Sequence, residues 1–210
     1  MAVKATLDHF GRIDVLINNA GYGLFGPFET ASDEDIRRQF ATNVDGIFNV
    51  TRTILPIMRH QKSGTVINVA SLGGLIPLPY FSLYSATKFA VIGFTESLSY
   101  ELAPFGIRVK SIAPGGVATD FSGRSMAITC GKEENAYSSM VDKAVKMMGK
   151  RQEGYSTPED IARVIHMAAT DGTDKIMYLA GDDANQAFNL LKNTTEEKRL
   201  EMMRQHAGIG

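Results

Sequence analysis

Strand-like and helix-like stretches alternate along this chain, and no other feature restricts its fold as tightly. Val15-Leu16-Ile17 is a short apolar run behind a helix-like segment, Ala2–Phe10, that Gly11 is suited to stop. Residues 65–70 and 107–113 are continuous apolar runs rich in β-branched side chains, the pattern of strands buried on both faces. Residues 175–180 give a last strand. Between the runs, Ser32 followed by Asp35 forms a variant capping box for a long helix toward His60, with Pro56 bending it or marking an irregular last turn. Residues 84–103 have helical apolar spacing and stop before Pro104. Thr157-Pro158-Glu159 opens another helix with proline at its first position, and residues 196–205 read as a polar terminal helix. The expected fold is a single α/β domain, residues 1–210, doubly wound around a parallel sheet.

Composition narrows the partners. Lys and Arg number 22 against 23 Asp and Glu, so no global charge draws nucleic acid or an anionic membrane. A lone Cys130 excludes an internal disulfide, and no Cys/His cluster has zinc-site spacing, so no metal is expected. Lys4, Asp8, His9, Arg12 and Asp14 interrupt any secretory pattern, and no apolar run is long enough to span a bilayer. The expected location is cytoplasmic.

The glycines at Gly21-Tyr22-Gly23-Leu24-Phe25-Gly26 match a dinucleotide fingerprint only superficially. That motif must open a helix directly, so that helix amides face the pyrophosphate. Here Pro27 follows and the helix signal waits until Ser32, so a turn after a strand explains the glycines better. Tyr84 and Lys88, four residues apart, share one helix face. A catalytic tyrosine must shed a proton near neutral pH from a reference pKa of about 10, and a neighbouring ammonium favours that; taken alone, the pair reads better as a core tyrosine beside a solvated lysine. Ser71 follows the 65–70 strand, at the edge where open α/β sheets place ligands. Its hydroxyl is suited either to a substrate oxygen or to capping the next turn. Asn43 lies inside the long helix, a poor place for asparagine unless its amide bonds something specific, either the backbone or a water or Lys88 relay.

Asn18-Asn19-Ala20-Gly21, Asn43, Ser71, Tyr84-Ser85-Ala86-Thr87-Lys88 and Pro114-Gly115-Gly116-Val117-Ala118-Thr119 occur in this order at close-fitting spacings, and as a set they resemble the short-chain dehydrogenase/reductase family. The resemblance covers essentially the whole chain. It implies a Rossmann-type fold, NAD or NADP as cofactor, and a secondary alcohol or ketone as substrate. It also implies Asn43, Ser71, Tyr84 and Lys88 as the catalytic tetrad, with Tyr84 as acid/base. Lys88 would lower the pKa of Tyr84 and hold the nicotinamide ribose, Ser71 would orient the substrate oxygen, and Asn43 would hold a relay water. By the same likeness, Asn18, Asn19, Ala20 and Gly21 support the adenosine side, Pro114 and Gly115 turn toward the cofactor, and Val117 and Thr119 meet its amide. Homo-oligomers are expected.

The chain departs from the family in one respect. Members begin with a strand, a Gly-x-x-x-Gly-x-Gly turn, a helix and a second strand, none of which is found here. The expectation is an N-terminally truncated sheet of four strands, weak cofactor binding and impaired activity. With the Val15–Asn18 strand left as an unpaired edge, association or aggregation is expected in place of a stable monomer. The alternative is a non-catalytic subunit that dimerises through helices 32–60 and 84–103. Residues 119–156 are the expected substrate lid, in which Phe121, Met126, Tyr137, Met140, Met147 and Met148 favour an apolar, bulky substrate or simply pack the domain.

Overall fold

The computed structural model describes residues 2–119, 125–129, 136–149 and 154–208. In chain order, α1 (Ala2–Phe10) leads into β1 (Val15–Asn18) and the short β2 (Gly23–Phe25); α2 (Asp33–Phe40) and α3 (Gly46–Gln61) precede β3 (Gly64–Val69). Then come α4 (Ser82–Leu102), β4 (Ile107–Pro114), β5 (Met126–Ile128), α5 (Ser138–Gly149), α6 (Pro158–Thr170), β6 (Met177–Ala180), α7 (Asp182–Lys192) and α8 (Glu196–Ala207). Strands β1, β3, β4 and β6 lie side by side in that order, all parallel, with Ile17 opposite Ile67 and Ile67 opposite Lys110.

Helices cover both faces, which explains why β3 and β4 are apolar without alternation. On one face Ile54 and Met58 of α3 and Leu98 and Leu102 of α4 pack on Val66, Ile107 and Val109. On the other, Ile161 and Ala168 of α6 pack on Ile67, Ile112, Tyr178 and Ala180. This is the doubly wound, Rossmann-like arrangement expected from the sequence. Among the described residues β1 pairs only with β3; its Val15 and Ile17 are 37% and 46% exposed, and α1 buries no residue.

Local chemistry sets the helix starts. The Ser32 hydroxyl accepts the Asp35 N–H at 3.1 Å while the Asp35 carboxyl accepts the Ser32 N–H at 3.3 Å. Thr157 and Asp160 repeat the reciprocal pair at α6, with Pro158 first in the helix. The expected single helix from 32 to 60 is in fact α2 and α3 joined by a π-helical turn, Ala41–Asp45, closed by the Gly46 N–H on the Ala41 carbonyl. Pro56 is accommodated within α3, which runs on to Gln61. Helix α4 starts two residues before Tyr84, and the weakly periodic 119–154 segment contains β5 and α5. Strand β5 pairs parallel with β2, which confirms that Gly23 enters a strand and does not open a helix. Helix α7 has no counterpart in the sequence expectation. Among the described residues no helix is long and apolar enough to cross a membrane.

Lys110 lies in the middle of β4, and its side chain is 1% exposed. Its ammonium donates to Asp171 at 2.5 Å and to the Tyr178 hydroxyl at 3.1 Å, and Tyr178 also donates to Asp171. The Lys110 and Tyr178 hydrogen bonds hold the Asp171 carboxyl well below the usual range. A carboxyl with a lowered folded pKa stabilises the fold above its unfolded pKa, and that contribution is lost as the pH falls through the folded value. Removing Asp171 leaves the buried Lys110 ammonium without its charge partner, whereas replacing Lys110 with an apolar side chain leaves Asp171 at the surface, where water reaches its carboxyl. Thermal melts at neutral pH are therefore expected to show Asp171→Ala losing more stability than Lys110→Met. The reverse order would show that the pair is dispensable to the core.

Candidate active site

The carboxyl ends of β1, β3 and β4 carry the residues singled out from the sequence. Ser71 stands two residues beyond β3 in extended backbone, and its hydroxyl accepts the Gly73 N–H at 3.0 Å. That bond caps a short 3-10 turn, Leu72–Gly74, which carries the chain toward α4. The turn lies tight on the helix: a side-chain carbon at Gly74 would come within 2.6 Å of the Lys88 carbonyl oxygen, so glycine there sets how closely α4 approaches β3.

Tyr84 is the third residue of α4 and is buried. Burial pushes its hydroxyl above the usual phenol value, and a hydrogen bond with the Ser71 side chain works against that rise. One turn on, Lys88 is 5% exposed, and its ammonium lies 5.7 Å from the centre of the Tyr84 ring while donating to the Val69 carbonyl at 2.9 Å. Burial lowers its pKa to about 8, because a charge is poorly solvated there. Ser71, Tyr84 and Lys88 thus form one cluster, anchored to the end of β3.

Asn43 sits in the π turn, fully buried. Its amide brackets the backbone of Tyr22, accepting the N–H at 3.0 Å and donating to the carbonyl at 3.0 Å, and it also donates to the Thr87 hydroxyl at 3.1 Å. Thr87 in turn donates to the Tyr84 carbonyl at 2.7 Å. The specific bonding that a mid-helix asparagine requires is therefore found, and it ties the β1–β2 turn to the helix that carries Tyr84. Thr87 was not among the residues singled out from the sequence, and its role depends on a contact that spacing does not reveal. Gln39, one turn before Asn43, adds a bond to the Tyr22 carbonyl at 2.9 Å.

Gly21 brings the Asn18–Gly21 turn over this cluster: a side-chain carbon there would lie 3.3 Å from Asn43 Oδ1 and 3.5 Å from Lys88 Nζ. Asn19 and Ala20 are exposed at the strand end. The Asn18 side chain does not join them. It turns inward, donating to Thr51 at 3.0 Å and to Asn68 at 2.8 Å, and Asn68 continues to Thr95. Asn18 is a brace between sheet and helices, leaving its neighbours and the backbone to face outward.

Pro114 ends β4, and the turn after it is held by its neighbours. Gly115 N–H donates to Ala180, Ser156 N–H to Gly116, and Ala118 N–H to Ser156. Val117 is half-buried and bridges to Ser156, and Thr119 is exposed.

Val141 and Ala144 of the expected lid form a small core with Phe25 of β2, joined by Tyr80, Phe81, Met126 and Tyr137. The Tyr137 hydroxyl donates to Glu29 at 2.6 Å. Met126 and Tyr137 therefore help dock the segment, and Met140 is half-buried. Phe121 and the side chains of Met147 and Met148 lie outside the described residues. An aromatic row runs from this core to the site, Phe25 to Phe81 at 5.0 Å and Phe81 to Tyr84 at 5.5 Å between ring centres. Among the described residues no group of acids, histidines and cysteines could hold a metal.

Residues 1–127 match the family model of the short chain dehydrogenases. An uncharacterized oxidoreductase of Schizosaccharomyces pombe is 37% identical over 208 residues, 99% of this chain and 87% of the relative. Among solved structures, a short-chain dehydrogenase from Streptomyces avermitilis superimposes with a TM-score of 0.80 at 30% identity, covering 100% of this chain and 75% of that one. A 3-ketoacyl-(acyl-carrier-protein) reductase from Brucella melitensis, solved with NADH, gives a TM-score of 0.66 at 28% identity, covering 85% and 69%.

Proposed function

This chain belongs to the short-chain dehydrogenase family and is an oxidoreductase with a fold built for a nicotinamide dinucleotide, and from that premise we propose that it interconverts a secondary alcohol and a ketone through Ser71, Tyr84, Lys88 and Asn43. The observation that carries the reading is the buried hydrogen bond between Ser71 and Tyr84 with the Lys88 ammonium one helical turn away.

The residues present fit the dinucleotide. Lys88 has three N–H donors, one of which goes to Val69, and it faces the space over Gly21 that a side chain would fill, where ribose hydroxyls can be held. The exposed Asn19 and Ala20 would flank the adenosine side. Pro114, Gly115, Val117 and Thr119 would hold the amide end. When bound, the dinucleotide supplies the hydride exchanged with the substrate carbon. In ketone reduction Ser71 donates a hydrogen bond to the carbonyl oxygen, and Tyr84 gives that oxygen its proton. The positive charge of Lys88 stabilises the tyrosinate left behind, and its loss above about pH 8 is expected to slow turnover. Asn43, whose amide donates both N–H groups and accepts one hydrogen bond, holds the Tyr22 backbone and Thr87 in place and keeps a second lone pair on its oxygen for the relay water.

The aromatic row leading from Tyr84 into the 119–156 lid supports an apolar, bulky ketone or its alcohol, a class that includes the oxoacyl compounds named for the Brucella protein. The outer faces of α3 and α4 support self-association. Phe48 and Phe89 are 37% and 42% exposed, and Phe48, Leu55, Pro56, Phe94 and Leu98 line an open apolar cleft.

Fluorescence titration with NADH and NADPH, followed by turnover on a panel of ketones, tests the reading. Saturable binding is expected. The affinity is expected to be weak, since among the described residues no glycine-rich turn opens a helix at a strand end to hold pyrophosphate. A chain that binds neither dinucleotide is not an oxidoreductase of this mechanism.

A further inference from the structure

Asp183, in the first turn of α7, is used by none of the steps above, yet it is built into the turn after β4. Its Oδ2 accepts the Gly116 N–H at 2.6 Å. A side-chain carbon at Gly115 would fall inside the van der Waals radii of both carboxyl oxygens, so a glycine is required for the carboxyl to lie where it does. A carbon at Gly181 would lie 2.6 Å from Asp183 Oδ1 and 2.6 Å from Ser156 Oγ. The same turn is closed from its other side by Ser156, whose backbone bonds both Gly116 and Ala118, and the Tyr155 ring lies against Gly116. Two segments far apart in the chain therefore meet on three consecutive residues, Gly115, Gly116 and Val117. Among the described residues Asp183 Oδ1 is buried with no hydrogen-bond partner, a desolvation cost that the bond accepted by the other oxygen has to offset.

We propose that Asp183 is a positioning residue that clamps the Gly115–Gly116 turn and thereby sets how tightly the amide end of the dinucleotide is held. The inference rests on the reading that this turn meets the cofactor. Asp183 acts through the Gly116 amide and touches no reacting atom. A hydrogen-bond acceptor at this place is sufficient, so asparagine substitutes for it and alanine does not.

The test compares wild type, Asp183→Ala, Asp183→Asn and Gly115→Ala in two measurements, the dissociation constant for NADPH and NADH and hydrogen exchange at residues 115–117 against that of β3. Asp183→Ala is expected to weaken binding about tenfold, the equivalent of one lost hydrogen bond. It is also expected to speed exchange at 115–117 while β3 stays protected. Asp183→Asn is expected to restore both, and Gly115→Ala, which displaces the carboxyl from the other side, to weaken binding with Asp183 intact. Unchanged binding in Asp183→Ala overturns the proposal, as does faster exchange throughout β3, which would make Asp183 a general stabiliser. A wild type that binds neither dinucleotide overturns the cofactor reading itself and is seen before any variant is made.

Discussion

Tyr84→Phe is expected to lower kcat by about a thousandfold, within the range for loss of a general acid, while the dissociation constant for the dinucleotide stays within about twofold. The separation follows from geometry. Phenylalanine keeps the ring that packs on Phe81 and next to Gly73, so α4 and Lys88 remain in place. What disappears is the hydroxyl bonded to Ser71, and with it the proton that the substrate oxygen must receive. Folding is expected to change by no more than about 1 kcal/mol, the net worth of one hydrogen bond. Single-turnover kinetics with pre-bound NADPH isolate the chemical step. Turnover that survives this substitution sinks the mechanism, because the hydroxyl that is to give the substrate oxygen its proton is gone.

Lys88→Met is expected to have two opposite effects: turnover vanishes and the thermal midpoint rises. Burial takes the ammonium from a reference value of 10.5 to about 8, so the charged form is disfavoured inside the protein by about 3 kcal/mol. Methionine matches the unbranched stem without the charge. The Val69 carbonyl loses its donor, which returns about 1 kcal/mol of the gain. The balance, about 2 kcal/mol, corresponds to roughly 4–8 °C for a chain of this length. The folded pKa is the lower one, so between about pH 8 and 10.5 the unfolded chain keeps a proton that the folded chain has lost, and wild-type stability rises with pH through that window. The penalty is full below pH 8, so the advantage of methionine is largest at pH 7 and shrinks as the pH rises toward 10. Melts followed by circular dichroism at pH 7 and 9.5 read both signs. A variant that melts below wild type at pH 7 shows that Lys88 stabilises the fold, contrary to its burial.

How much of this was legible in the sequence depended on whether the signal was local. The capping pairs Ser32–Asp35 and Thr157–Asp160 are complete within four residues, and both helices begin where those residues require. The long apolar runs of β3 and β4 likewise reveal two-sided burial by themselves. Strands β2 and β5 have three residues each, too few to show a period, and they pair across a hundred positions of sequence. Helix α7 opens with Asp182 and Asp183 one residue past β6 and carries Ala184, Ala187, Leu190, Leu191 and a last-turn Lys192, local helix signals from which it was legible. In the site, Asn43 stood out because its residue type was wrong for its position, whereas Thr87, Gly74 and Asp183 suit their local surroundings. Their importance comes from what other elements bring against them. The inward turn of Asn18 was hidden for the same reason, since its partners Thr51 and Asn68 lie 33 and 50 residues away.

The π turn at Ala41–Asp45 acts as a phase correction. In an α-helix a step of four residues overshoots a full turn by about 40°, so three such steps drift by about 120°. Gln39, Asn43, Ile47 and Thr51 are spaced by four, yet all are buried on one side. The wider turn absorbs part of the drift and lets a single seam pass from polar contacts with Tyr22 to apolar packing on the sheet. A chain shorter by one residue here would return to uniform pitch. It would then have to rotate either the Asn43 amide away from Tyr22 and Thr87 or Ile54 and Met58 out of the core. The length of this segment, more than the identity of most of its side chains, thus couples the alignment of Tyr84 to the packing of the sheet.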